Sequence, residues 1–209
     1  MKILDTFILF ALFNITVFGT AQYPDKIIYN GKEYKLHSNP MEGYFDKYPE
    51  KHPIRLEEAG LSSALWRGYV ATFEIRDNVL YIKDIEVYKG GSMSDKANWK
   101  SIFKELFPKQ EFLKVDWRTG LLVLPYGKML KYVHGGYAST YENYIILEID
   151  NGNLTKENQL KYKDYEKFKR KQFRAFKKTE EYKNLRKLGR TNDYLRFNVT
   201  DYTSKILIE

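Results

Sequence analysis

The stretch that decides the fold is Arg67-Gly68-Tyr69-Val70-Ala71-Thr72-Phe73-Glu74-Ile75-Arg76-Asp77-Asn78-Val79-Leu80-Tyr81-Ile82-Lys83-Asp84-Ile85-Glu86-Val87-Tyr88. Tyr69, Ala71, Phe73 and Ile75 alternate with Val70, Thr72 and Glu74, the period-2 pattern of a strand with two unlike faces. Asp77 and Asn78 interrupt it, and a second run follows from Val79 to Tyr88. If Asp77 and Asn78 form a two-residue hairpin loop, Arg76 pairs with Val79 and the register is set. Tyr69, Ala71, Phe73 and Ile75 then share the core face with Leu80, Ile82, Asp84 and Glu86. Asp84 lies opposite Ala71 and Glu86 opposite Tyr69, with Arg67 one step beyond.

Upstream, residues 26–36 read as another hairpin, because Asn30-Gly31 supplies the positive φ angles of a type I′ turn. Residues 37–62 hold Pro40, Pro49 and Pro53 and read as an irregular connector with one helical turn around residues 41–47. Downstream, Asp95 caps a short helix carrying Trp99, Ile102, Phe103 and Leu106 at i, i+3, i+4 and i+7, stopped by Pro108. Residues 111–117, 121–124, 128–134 and 144–149 read as strands, with a turn at Asp150-Asn151-Gly152. Over residues 161–188 the spacing of Tyr165, Phe168, Ala175, Phe176, Thr179 and Tyr182 predicts one long helix, ended by Gly189. Residues 192–209 fit a helix or an edge strand equally. The expected fold is α+β: a mostly antiparallel sheet with one short helix and a long basic C-terminal helix packed on it.

The chain has 209 residues, of which 43% are hydrophobic. That is enough for one domain with a sizeable core and excludes wholesale disorder. Absence of Cys excludes a disulfide scaffold, a Cys-ligated zinc, an iron–sulfur cluster and a cysteine nucleophile. Three His (His37, His52, His134) argue against a multi-His metal centre. Gly31, Gly43, Gly60, Gly68 and Gly120 are scattered and form neither a Walker nor a dinucleotide loop. No cofactor and no metal are therefore predicted.

Lys2 precedes an apolar run from Phe7 to Phe13, which continues diluted to Phe18 and meets Gly19-Thr20-Ala21. That is the layout of a cleavable signal over residues 1–21, leaving one domain at residues 22–209. A membrane span needs about 20 apolar residues, more than this core offers. No second long apolar run follows, so no transmembrane span is expected in the mature chain. An exported chain without Cys fits a bacterial periplasm, or secretion, better than a eukaryotic route, although sequons stand at Asn153 and Asn198.

The net charge of +8 is concentrated in one segment. Residues 161–190 carry thirteen Lys or Arg against four Asp or Glu, which leaves the remainder at −1. Lys167, Arg170, Lys171, Arg174 and Lys178 are the candidate contacts for an anionic glycan, a lipid headgroup or an acidic protein. The plainer reading is a solvated face whose Lys stems cover apolar surface. Lys outnumbers Arg nine to four, which disfavours nucleic acid, where the Arg fork is the better reader of phosphates and bases.

Two constellations could carry chemistry. Asp84 and Glu86, beside Arg67 and Tyr69, could form a carboxylate pair at the lip of a pocket, or a structural salt bridge to Arg67. In Tyr132-Val133-His134-Gly135-Gly136-Tyr137-Ala138-Ser139-Thr140-Tyr141-Glu142, a trio of Ser139, His134 and Glu142 can be drawn, but no nucleophile elbow is present. The plainer reading is a turn with its hydroxyls bonded to backbone. Tyr137 and His134, beside two Gly, are candidates for ligand contact.

That segment, together with Trp66-Arg67-Gly68-Tyr69-Val70-Ala71-Thr72-Phe73-Glu74-Ile75 and Leu80-Tyr81-Ile82, resembles an uncharacterised family of small bacterial proteins, notably from Bacteroidetes, over residues 32–179. The resemblance implies a bacterial source and no activity. The leading expectation is an exported, non-catalytic binding protein of the bacterial periplasm with an anionic or protein partner. A cell-envelope hydrolase or lyase using His134 with Glu142, or Asp84 with Glu86, is the first alternative. An immunity-type protein that neutralises a toxin is the second.

Overall fold

The computed structural model describes residues 20–54 and 62–205. Most of the expected signal segment, residues 1–19, lies outside the described residues, as do residues 55–61 of the connector and 206–209 of the tail. The described chain is mixed α+β, with nine strands and six α-helices.

Three hairpins follow from their two-residue turns. Asn30 and Gly31 both take positive φ and join β1 (Asp25–Tyr29) to β2 (Lys32–Leu36). Asp77 and Asn78 do the same between β3 (Tyr69–Arg76) and β4 (Val79–Tyr88), with Arg76 opposite Val79 as the sequence predicts. Asn151 and Gly152 join β8 (Thr140–Asp150) to β9 (Asn153–Lys161). Two-residue turns of this hand match the right-handed twist of the strands they connect.

The order across the sheet is β2-β1-β3-β4-β9-β8-β7, where β7 is Gly120–Lys131. All pairs are antiparallel except β1 with β3. The sheet rolls until its two ends meet, and the His37 N–H beyond β2 donates to Val123 O on β7 at 2.8 Å. Rolling covers strand edges that would otherwise invite another chain. Ile27, Leu36, Phe73, Leu80, Ile82, Ile85, Leu122, Leu124, Leu147 and Ile149 fill the inside, all fully buried. Helices α1 (Glu42–Lys47) and α2 (Phe103–Leu106) add Tyr44, Phe45 and Phe103 to this core.

Four expectations are corrected. First, the β3–β4 register slips between Thr72 and Phe73, so Thr72 faces Asp84, Ala71 faces Ile85 and Tyr69 faces Val87. The bulge at Lys83 turns Asp84 and Glu86 away from the core and gives their places to fully buried Ile85 and Val87. One extra residue is enough, because a one-residue shift reverses every side chain beyond it. Second, Asp95 does cap a turn, accepting from Ala97 N at 2.9 Å, but only a 3-10 turn of three residues. Trp99 enters a short strand, β5 (Trp99–Ser101), on the edge of β4, and α2 is a single turn.

Third, residues 121–124 and 128–134 are not separate strands. Residues 121–124 and 128–131 are merged through Pro125 in β7, which is bulged after Tyr126, and 132–134 lie in the turn beyond it, while β6 (Leu113–Lys114) is all that forms of the strand expected at 111–117. Gly127 makes the bulge feasible, since its φ is +81° and a Cβ there would meet Glu142 and Asn143 at 2.9 Å. The polar strand β9 was hidden by its sequence, which has only two apolar residues in nine.

Fourth, the long basic helix is two helices: α3 (Tyr162–Phe176) and α4 (Glu180–Lys187). Thr179 is the N-cap of α4 rather than part of the apolar stripe, its Oγ1 accepting from Tyr182 N at 3.2 Å. Gly189 ends α4 as expected, with φ +84°, its own N–H on Arg186 O and that of Arg190 on Leu185 O. The tail is helical in α5 (Asn192–Phe197) and α6 (Val199–Tyr202). Tyr165 and Phe168 of α3 pack on the outer face of β7 and β8 against Leu121, Val123, Tyr144 and Ile146. Further along, Phe173 and Phe176 join Leu195 and Val199.

Candidate functional site

Two features gather the residues singled out from the sequence: a buried arginine network at the mouth of the rolled sheet, and the outer face of α3. Arg67 precedes β3 and continues its inward-facing alternation, which places the guanidinium inside the sheet with no exposure. One Arg67 NH2 donates to Asp25 Oδ1 at 3.2 Å and to Tyr23 O at 3.2 Å. Its other terminal nitrogen donates to Tyr137 OH at 3.2 Å, and the guanidinium lies 5.4 Å from the Tyr69 ring centre. Asp25 Oδ1 also accepts from Ala71 N at 2.9 Å. Tyr137 OH donates onward to Asn39 Oδ1 at 2.8 Å, and Tyr69 OH donates to Glu42 Oε1 at 2.5 Å. The Tyr137 ring stacks on His37 at 4.7 Å.

Burial governs the electrostatics of this network. It pushes the Asp25 carboxyl up to about 6, against the pull of the Arg67 charge and the Ala71 N–H. Burial would lower the Arg67 guanidinium, but Asp25, Tyr137 and Tyr69 more than offset it and hold the charge firmly. Burial holds His37 neutral, taking it down to about 3, with Lys35 adding to the effect.

The structure joins Tyr137, which the sequence places in a separate constellation, to Arg67 and Tyr69, and it separates the candidate catalytic groups. Asp84 binds Ser101 Oγ at 2.6 Å and Ile85 N at 2.8 Å, and Glu86 faces Lys26 at 3.5 Å. The Arg67 partner is Asp25 instead. His134 is exposed and bonds Tyr132 OH at 3.1 Å, while Ser139 Oγ bonds the Val133 backbone and Glu142 accepts from Lys128 N at 2.9 Å. The trio is therefore three separate turn contacts. Among the described residues, no group of three or more His, Asp or Glu converges to hold a metal.

Asp25 was missed, yet a signal exists: it shares the period-2 inward face of Ile27 and Tyr29, where an acid needs a buried partner. His37, Asn39 and Glu42, in the proline-interrupted connector, gave no comparable sign.

Lys163, Lys167, Arg170, Lys171 and Arg174 are all exposed on α3. At 3.6 residues per turn they fall within an arc of about 100°, running about 16 Å along the helix opposite the buried face. Lys178 extends the stripe just past the C-cap. Lys167 pairs with Asp164 at 2.9 Å, whereas no described carboxylate lies within ion-pair distance of Arg170, Lys171, Arg174 or Lys178. No protein-family model matches the chain, and no curated protein or solved structure matches it.

Proposed function

We propose that this is an exported bacterial binding protein that recognises an anionic partner through the outer face of α3. The observation that carries the reading is the stripe from Lys163 to Lys178: cations on one arc, mostly without counter-charges, on a helix whose other face is committed to the sheet. A helix merely solvated by charge needs no such segregation, and the opposite signs are commonly interspersed along it. Aligned cations raise the local potential and draw a polyanion along the axis. Binding rather than turnover is favoured by the dispersal of Asp84, Glu86, His134 and Glu142 into separate structural contacts.

The test is capture from cell-envelope extract at low and high salt. The unaltered chain should retain an anionic component that salt releases. A variant carrying K167E, R170E, K171E, R174E and K178E should lose it, and one carrying K183E and K187E on α4 should keep it. Capture that survives reversal of the α3 charges would overturn the assignment.

A further inference from the structure

A cleft of about 450 Å³ opens between the mouth of the rolled sheet and the tail helices α5 and α6. Its volume is within the range of roughly 300–1,000 Å³ typical of small-molecule sites. A smaller cavity of about 150 Å³ adjoins it, and the stacked pair His37 and Tyr137 lines both.

Three observations indicate a ligand. The first is unsatisfied polarity. Among the described residues, six buried side-chain polar atoms lack a hydrogen-bond partner, and Ser38 Oγ, Gln22 Oε1 and Arg118 Nε belong to residues lining this cleft. Ser38 is only 3% exposed, so its hydroxyl has no easy recourse to bulk water. A buried polar group without a partner costs free energy that a ligand hydroxyl would recover.

The second is the rim. Trp66 is 53% exposed, Tyr194 42% and Phe197 47%, and all three line the larger cavity. Met129 and Tyr132 line the smaller one. Thus five of the eight large hydrophobic side chains exposed among the described residues lie on two adjoining cavities. Chance scatter over the surface would not gather them.

The third is charge balance. Arg118 and Lys169 are matched by Glu42 and Asp201 on the same walls. The Lys169 ammonium is occupied by Glu166 at 2.7 Å and Glu42 by Tyr69. Unlike the outer face of α3, this cleft has no surplus of positive charge to attract an anion.

We infer that the cleft binds a neutral sugar, holding a pyranose ring of a glycan against Trp66 and Phe197 with its hydroxyls on Ser38, Gln22 and Arg118. A pyranose presents apolar C–H faces that lie on aromatic rings, and hydroxyls that both donate and accept. The Ser38 hydroxyl does both, Gln22 Oε1 accepts and Arg118 Nε donates. The smaller cavity, which shares His37 and Tyr137 with the cleft, gives a second ring somewhere to go. This reading is independent of the α3 reading, and salt separates them.

The experiment is calorimetric titration of the chain with maltohexaose, cellohexaose and chitohexaose, with tryptophan emission recorded in parallel. At least one hexaose should bind saturably and blue-shift the emission. Trp66→Ala and Phe197→Ala remove exposed rings and should leave the melting temperature unchanged while weakening binding about tenfold each. Raised salt and the α3 charge-reversal variant should leave sugar binding intact. The inference is overturned by absence of binding to all three hexaoses or by binding that both rim variants retain.

Discussion

Replacing Arg67 with Met tests how the mouth of the sheet is held together. The substitution preserves much of the side-chain volume but leaves Asp25 fully buried with only the Ala71 N–H. At the observed 3.2 Å, the lost attraction is about 5 kcal/mol for an effective dielectric constant of about 20. Removing one partner of a buried pair typically costs about 3–5 kcal/mol, so the two figures agree. The cost should depend on pH. In the unaltered protein the folded-state carboxyl already sits at about 6, above its ordinary 3.8, so the folded chain holds a proton that the unfolded chain releases. This contribution to stability is fully present below the unfolded value and is lost as pH rises through about 6. Without Arg67 the folded-state value moves higher, and the extra loss grows by about 1.4 kcal/mol per pH unit until the new value is passed. Urea unfolding followed by far-ultraviolet circular dichroism should therefore show a deficit at about pH 8 larger, by about 3 kcal/mol, than at about pH 5. Adding Asp25→Asn should remove this pH dependence. A deficit under about 1 kcal/mol at about pH 8, or one equal at the two pH values, would refute the buried-pair account.

Two further outcomes follow from single residues. His37, held down to about 3 by burial and by Lys35, should show no imidazole titration by NMR between about pH 5 and pH 8. Because its folded-state value is depressed, it should weaken the fold as pH falls below the ordinary 6.5, and a midpoint near that ordinary value would contradict its burial under Tyr137. Thr179→Ala should cost about 1 kcal/mol by loss of the α4 cap. Hydrogen exchange should then quicken at the α4 amides with little change in α3; equal quickening along both would mean that they form one continuous helix.

The hairpins were legible because their turns and their alternation are local. Asn30-Gly31, Asp77-Asn78 and Gly189 each state their conformation within two or three residues. What was not legible depends on competition. The bulge at Lys83 is decided by Ile85 and Val87 competing with Asp84 and Glu86 for the core, which strict alternation cannot weigh. Strand β9 gains its place by hydrogen-bonding to β8, so its polar sequence carries almost no pattern. The break after Phe176 has a local signature, Thr179 followed by Glu180 and Glu181, but the same Thr also fits an apolar stripe by spacing. At the site, Arg67, Tyr69 and Tyr137 stood out by type and neighbourhood, whereas Asp25 and His37 reach them only through the roll of the sheet.

The measurement that bears most directly on the central claim is the salt dependence of affinity for inorganic polyphosphate, a polyanion with no sugar ring for the cleft to hold. For a stripe of about five engaged cations, log K should fall with log salt at a slope of about −3 to −4, allowing for incomplete engagement. The variant with K167E, R170E, K171E, R174E and K178E should bind too weakly to measure at the lowest salt, with its fold intact. An affinity independent of salt, or retained by that variant, would contradict the assignment of α3 as the anion-binding face.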